Sequence, residues 1–165
     1  MKVYKLLLLL EHEGEEITRL IELPAHANLE TLHLTILSAY NFDDSQLASF
    51  YLSNKNWEKG EEITLVDMSC DETASQTMEQ CTLESRLKED DRMIYVYDFV
   101  LMWTFKIRVT EITETDRSEE EYPLLLEEEG KSPEQYQDME KYTAELTEKD
   151  KELLAKAMLG EDADG

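Results

Sequence analysis

Residues 23–50 read LPAHANLETLHLTILSAYNFDDSQLASF and join two strand-like regions through an amphipathic helix. Pro24 ends an extended run, and Asn28 offers a side-chain oxygen where a helix needs an N-cap. Apolar residues then recur at helical spacing, at Leu29, Leu32, Ile36, Leu37 and Tyr40. The pattern predicts a helix of about three turns with one buried face, which ends at Asn41 before a polar turn.

Alternating segments around this helix predict two β-hairpins. Residues 3–11 are apolar at nearly every position, which predicts a central strand covered on both faces. Residues 16–23 alternate and would form the second arm of the same hairpin. Residues 93–99 and 103–111 also alternate and predict the second hairpin. The element order ββα followed by further strands resembles a ubiquitin-like roll, by analogy of order alone.

The C-terminal part of the sequence predicts helix. Residues 132–134, Ser-Pro-Glu, are a helix-start signature with proline at the first helical position. We therefore expect an α+β domain over residues 1–126, in which a mixed or antiparallel sheet packs on one main helix. An acidic helical extension would follow over residues 127–160, and a disordered tail would close the chain over residues 161–165.

The chain is strongly acidic. Its 165 residues include 39 acidic and 16 basic side chains, which give a formal net charge of -23. Residues 1–110 carry -10 and residues 111–165 carry -13, so the C-terminal part is the more acidic per residue. Such a field repels phosphate backbones and anionic membrane surfaces. We therefore expect no direct binding to nucleic acid or membranes, and favour a basic protein as partner.

Two further features bear on the cellular compartment. Lys2 and Lys5 precede a leucine run over residues 6–10, but the run is too short to cross a membrane and acidic residues follow it in place of a cleavage site. A buried first strand explains this run better than a signal peptide. Cys70 and Cys81 form no framework of the secreted kind, and we interpret both as free thiols. The sequence thus predicts a cytoplasmic protein.

The candidate polar site consists of His33, Asp43, Asp44 and Asp98. Each also has a structural interpretation: a core or surface histidine, an acid pair that caps a turn, and an acid that shapes a hairpin turn. Asp98 stands out because a carboxylate in an apolar strand must be exposed or hydrogen-bonded. The histidines and cysteines lack zinc-ligand spacing, and the sequence contains no phosphate-binding loop or catalytic serine elbow. We expect no catalytic residue, bound metal or cofactor.

Three sequence blocks match a known family pattern. A run of Ile-Trp-Arg-Arg-Ile ending in Val-Pro is matched by Ile17, Arg19, Ile21, Leu23 and Pro24. A pattern close to L-H-x-x-I-x-x-A-[aromatic]-G-W-D-D-S-H-L-H-x-F is matched by Leu32, His33, Ile36, Ala39, Tyr40, Phe42, Asp43, Asp44, Ser45, Leu47 and Phe50. The pattern Y-x-Y-D-F-G-D-x-W-x-H is matched by Tyr95, Tyr97, Asp98, Phe99 and Trp103. In these blocks residues 3–142 resemble the plasmid pRiA4b ORF-3-like family, also known as passenger TnpR-type proteins of an insertion element.

The chain departs from that family pattern at polar positions. Family histidines are replaced by Gln46, Ala48 and Phe105, and a Gly-Asp pair is replaced by Val100 and Leu101. The resemblance implies no established activity, and it implies that any function built on those polar groups is lost here. The family's transposition-related name reflects genetic context. The resemblance also marks six family-matching structural residues: Arg19, Pro24, Tyr95, Tyr97, Phe99 and Trp103.

Three functional hypotheses follow from the sequence. The leading one is a non-enzymatic interaction or regulatory module whose acidic surface and residues 132–159 bind a basic protein. The first alternative is a degenerate, metal-dependent hydrolase- or nuclease-associated protein built on the candidate polar site. The second alternative is a DNA mimic that competes with DNA for a basic protein. The sequence specifies no oligomeric state.

Overall fold

The computed structural model of the protein describes residues 1–66 and 76–135. The strands are β1 (Lys2–His12), β2 (Glu15–Pro24), β3 (Ala48–Ser53), β4 (Glu62–Thr64), β5 (Arg92–Tyr97), β6 (Trp103–Glu114) and β7 (Leu124–Glu129). The helices are α1 (Leu29–Ala39) and α2 (Leu83–Arg86), and short 3-10 helices cover Met78–Gln80 and Glu119–Glu121. All of these elements belong to one compact unit, residues 1–132, while a second unit, residues 133–165, is described only as far as residue 135.

The strands form one sheet in the order β4-β3-β5-β6-β1-β2-β7. Every pairing between these strands is antiparallel. Both predicted hairpins are confirmed, since β1 pairs with β2 and β5 pairs with β6. The first hairpin turns at Glu13 and Gly14, which have φ angles of 51° and 80°. Strands β4 and β7 are the two edges of the sheet.

Helix α1 begins and ends where its sequence predicts. The side-chain oxygen of Asn28 accepts a hydrogen bond from the Thr31 backbone amide at 2.8 Å, which caps the helix. Asn41 follows the helix with a φ of 60°, a left-handed conformation that asparagine tolerates. The helix contributes fully buried apolar side chains to the core, among them Leu29, Leu32 and Ile36. The predicted helix is confirmed.

The two faces of the central strands differ in burial. Leu6, Leu8 and Leu10 are buried on the inner face, which shares one hydrophobic core with α1. Leu7 and Leu9 alternate with them and are half-buried on the opposite face. We call this opposite side of the sheet the outer face; Leu7 and Leu9 of β1 and Thr18 and Leu20 of β2 lie on it. The prediction that both faces of the first strand are covered is wrong, because only the inner face is fully buried.

The predicted fold class is also wrong. The described residues are dominated by a seven-stranded antiparallel sheet, and their helices are α1, with 11 residues, and α2, with four. An α+β domain in which the sheet packs on one main helix, with a helical C-terminal extension, does not describe this structure. Since the seven strands of the sheet pair with one another in the antiparallel sense throughout, the ubiquitin-like analogy of element order does not extend to the sheet.

The difference in fold class is clearest near residue 127, where the helical extension was predicted to begin. Residues 127–129 are the second half of β7, and residues 132–135 are not helical. Leucine and glutamate are good helix formers, but β2 offers an unpaired edge whose backbone groups β7 satisfies. Residues 136–160 and the predicted tail lie outside the described residues. The predicted domain division therefore stays a prediction.

Candidate functional site

His33 lies on the buried side of α1, with 2% of its surface exposed. Its Nδ1 shares a hydrogen bond with the Tyr95 hydroxyl of β5 at 2.5 Å. Burial lowers the pKa of His33 below its ordinary value of 6.5, and the carboxylate of Asp44 opposes that shift without reversing it. The imidazole is therefore neutral near pH 7 and is held against the sheet.

Asp43 fastens the loop after α1 to strand β5. Its carboxylate oxygen Oδ1 accepts hydrogen bonds from the Ser45 hydroxyl at 2.7 Å and the Ser45 amide at 3.3 Å. The Tyr97 hydroxyl donates to the Asp43 backbone carbonyl, and the Gln46 amide donates to the same hydroxyl at 3.1 Å. This arrangement is that of a turn built by an aspartate, which is the structural interpretation of the acid pair. Its neighbour Asp44 is exposed.

Asp98 closes the turn between β5 and β6. It is 3% exposed and has a φ of 66°. Its Oδ1 accepts hydrogen bonds from the amides of Val100 at 2.9 Å and Leu101 at 3.2 Å, while its own amide donates to the Leu47 carbonyl. These bonds offset the cost of burying the carboxylate. Asp98 thus has the hairpin-shaping geometry of its structural interpretation.

The structure brings part of the candidate polar site together. His33 and Asp43 bond the tyrosines of β5, and Asp44 lies near enough to His33 to act on its pKa, whereas the Asp98 carboxylate bonds within its own turn. Burial raises the pKa of Tyr97, and burial also raises the pKa of Tyr95 above its ordinary range. Both phenols therefore stay neutral near pH 7. Within residues 1–66 and 76–135, no three His, Cys, Asp or Glu residues are grouped so as to hold a metal ion.

Arg19 joins three parts of the unit and is 4% exposed. Its Nε donates to the Ala39 carbonyl at the end of α1 at 3.2 Å, and its Nη1 donates to the Glu129 carbonyl of β7 at 3.2 Å. Its Nη2 donates to the Ser132 hydroxyl at 2.8 Å. The Glu128 carboxylate, 3.8 Å from Nε, balances the buried charge. The planar fork of arginine suits this divergent set of acceptors.

A family model for plasmid pRiA4b ORF-3-like proteins matches residues 2–155 of this chain. The chain belongs to that family. Among solved structures, a protein of unknown function from Methanosarcina mazei Go1 is similar, with a TM-score of 0.66 over 98% of this chain and 90% of that chain. The two sequences are 21% identical, so this likeness shows the fold alone. No curated protein matches the chain.

The residues shared with the pRiA4b ORF-3-like pattern lie mainly in the core. Tyr95 and Tyr97 are fully buried, and Pro24 is buried at the end of β2. The Trp103 ring packs against the Phe42 ring, with 4.9 Å between the ring centroids. Phe99 differs, because 41% of it is exposed in the turn after β5. These positions therefore match the family largely for reasons of packing.

Two of the positions where the family pattern has histidine are apolar and buried in this chain. Ala48 is 1% exposed, and Phe105 is fully buried among the aromatic rings, 4.9 Å from Tyr40 and 5.5 Å from Tyr95. The third position, Gln46, uses its backbone amide to bond Tyr97. At Ala48 and Phe105, hydrophobic packing fills the space that a polar group would need.

The outer face carries a groove that the sequence pattern does not indicate. The groove has a volume of about 390 Å³ and is lined by Leu7, Thr18, Leu20, Glu127, Glu128 and Glu129. The signal in the sequence is the run Leu-Leu-Leu-Glu-Glu-Glu over residues 124–129, in which the predicted helical extension begins at residue 127. Among the described residues, one open depression of about 330 Å³ lies beside His26 and Glu119, and another of about 580 Å³ lies beside Phe42 and Asp44.

Two observations bear on the predicted compartment. Across the described ranges, no helix has both the length and the apolar character required for a membrane span. Cys81 is a buried free thiol, as predicted, and its Sγ donates to the Gln76 side chain at 3.3 Å. Cys70, also predicted to be a free thiol, lies outside the described residues.

Proposed function

We propose that this member of the pRiA4b ORF-3-like family is a non-enzymatic interaction or regulatory module that binds a basic protein partner. The main support is that three side chains of the candidate polar site form hydrogen bonds within the protein. His33 bonds Tyr95, Asp43 bonds Ser45, and Asp98 bonds the amides of its own turn. A general base or a metal ligand needs a lone pair directed at a substrate or ion, whereas Nδ1 of His33 and Oδ1 of Asp43 and of Asp98 bond other groups of the protein.

The charge distribution supports the basic partner. A net charge of -23 produces a negative field that attracts cationic surfaces and speeds their association. Exposed acids lie in consecutive runs at Glu119–Glu121 and over residues 127–129. Binding driven by such a surface weakens as salt rises, because exposed charges are screened beyond about 10 Å at 0.1 M salt.

One observation favours the degenerate acidic site as a second candidate. Asp44 is exposed and lies near enough to His33 to act on its pKa. Calorimetry with Mn²⁺ or Mg²⁺ distinguishes this candidate from the first. Stoichiometric binding that is abolished in Asp44→Asn would support an ion site, whereas the absence of heat at millimolar metal would exclude it.

The interaction proposal is tested with the full chain as bait for cellular extract. Any retained protein is then produced separately and titrated against the bait at several salt concentrations. A basic protein that binds stoichiometrically, and whose affinity falls steeply with salt, is the expected result. Retention of acidic or neutral proteins alone, or of none, would contradict the proposal. Competition by duplex DNA for the same partner would identify the module as a DNA mimic.

We further propose that the module acts in the cytoplasm. The free thiol of Cys81 supports this location, because oxidising compartments favour paired cysteines. An association with mobile elements follows from the family's name alone and is a proposal of genetic context. Mapping the neighbouring genes in several genomes would test it.

A further inference from the structure

Strand β7 is an edge of the sheet whose outer side has no neighbour among the described strands. It pairs with β2 along one side only, from Glu22 opposite Leu124 to Thr18 opposite Glu129. An edge strand presents unpaired backbone amides and carbonyls that can accept another strand. Its side chains are also accessible, since all but Leu124 are exposed.

The register of β7 fixes which of its side chains face the outer groove. Leu20 lies opposite Glu127, and Thr18 lies opposite Glu129. Side chains of directly opposed residues lie on the same face of an antiparallel sheet, so Glu127 and Glu129 stand on the outer face. Glu128 faces the other way, toward Arg19. The groove thus has an apolar floor and an acidic wall on its β7 side.

The groove and the edge favour the same occupant. A strand added beside β7 would place every second side chain next to Glu127 and Glu129, at cross-strand spacing of about 5 Å. Lysine or arginine at those positions would bring its cation to the carboxylates while its apolar stem lies along the outer face. A second copy of this chain would instead bring three further glutamates and another charge of -23 to the same edge.

We propose that β7 and the outer groove bind an extended segment of a basic protein by strand addition, with lysine or arginine at alternate positions. This inference rests on the proposed function and specifies the surface and the form of the partner. Backbone hydrogen bonds to the β7 edge supply part of the affinity, and the alternating cations give selectivity. A basic helix of equal charge would pair with the glutamate side chains but would form no backbone hydrogen bonds with the β7 edge.

The test measures fluorescence anisotropy of a labelled peptide of about ten residues that alternates lysine with threonine, titrated with the full chain at low salt. Two companion peptides carry N-methyl groups either on all lysine amides or on all threonine amides. Lysine and threonine amides of an extended peptide point to opposite sides, so only one set can meet β7. We expect about tenfold weaker binding for one methylated peptide and little change for the other. Equal affinities for all three peptides would overturn strand addition.

Protein variants test the surface. The double variant Glu127→Gln with Glu129→Gln should bind the unmodified peptide about fivefold more weakly. The matched control, Glu89→Gln with Asp116→Asn, makes the same change in charge at exposed residues outside β7 and should change the affinity less than about twofold. Equal losses in the two double variants would overturn the assignment to β7. A dimer of the free chain in light scattering, abolished by the β7 variant, would show that a second copy occupies the edge.

The same variants separate this inference from the proposed function. A purified basic partner that binds the wild type and the β7 variant equally well would refute the β7 site and leave the interaction module standing. If neither the peptide nor any basic protein binds the wild type, both proposals fail. Loss of partner binding in the β7 variant, with the control variant unchanged, supports both.

Discussion

Over residues 6–10 of strand β1, the inner and outer faces are made of the same residue and have different roles. Leu8 is fully buried in the core shared with α1, whereas its neighbour Leu7 is half-buried beside the outer groove. Sequence alone cannot distinguish them, because residues 6–10 are all leucine. The difference arises from what lies across the sheet. A run of identical apolar residues therefore indicates that a strand is central, but it does not indicate which face of the strand is free to bind.

Truncation on the inner face should have the largest effect. Replacing Leu8 with alanine should lower the free energy of unfolding by about 3 kcal/mol, because it removes buried surface and leaves a cavity. Leu7→Ala on the outer face should cost about 1 kcal/mol, since solvent and neighbouring side chains can fill the space. Urea denaturation of both variants measures the difference. Equal losses would show that the outer face is as fully covered as the inner one.

The next effect concerns the charge buried on the inner face. Arg19→Lys should cost about 2 kcal/mol, because one ammonium cannot reach the carbonyls of Ala39 and Glu129 and the hydroxyl of Ser132 together. The matched control on the outer face is Arg108→Lys, whose partner is the exposed Asp90. That variant should change stability by less than about 0.5 kcal/mol. Similar urea midpoints for the two variants would contradict a special role for Arg19.

The sequence predicted local elements well where the physical signal is local. The cap at Asn28, the helical spacing that follows it and the alternation of the two hairpins all depend on residues within a few positions of one another. The secondary structure of residues 124–129 could not be predicted from local signals. Its leucines and glutamates favour helix locally, and it becomes a strand because β2, a hundred residues earlier, offers it an edge.

The candidate polar site was also predictable only where its contacts are local in sequence. The sequence indicated that Asp98 must be hydrogen-bonded if it is buried, and the structure supplies the amides of Val100 and Leu101. The sequence left His33 open between a core and a surface position, and the structure buries it. The sequence did not identify Tyr95 as the partner of His33, because that contact spans 62 residues and depends on how the helix and β5 face each other.

Removing a hydroxyl from the inner face should have a moderate effect. Tyr95→Phe leaves Nδ1 of the buried His33 without its partner and should cost about 1 kcal/mol. Tyr51→Phe is the matched control, because its hydroxyl bonds Glu62 near solvent at 3.2 Å and water can replace it. The control should lose less than about 0.5 kcal/mol. If both variants unfold at the same urea concentration, the His33–Tyr95 bond contributes little to the fold.

The smallest effect is the pH dependence that His33 contributes. Its pKa is lowered in the folded protein, so the unfolded chain takes up a proton first as the pH falls below the ordinary value of 6.5. Stability from this residue is complete above pH 6.5, declines as the pH falls toward the folded pKa, and levels off below it. His33→Gln should flatten this part of the stability profile, whereas His26→Gln at an exposed position should leave the decline in place.

A third variant tests the charge that acts on His33, because the Asp44 carboxylate raises the pKa of His33 while burial lowers it. Asp44→Asn removes that opposing charge and should therefore move the decline to a still lower folded pKa, which makes the loss of stability on acidification larger. Urea denaturation at pH values from 7.5 to 5 would show it. An unchanged loss in Asp44→Asn would mean that the carboxylate does not act on the imidazole. The exposed aspartate would then have no part in the buried cluster.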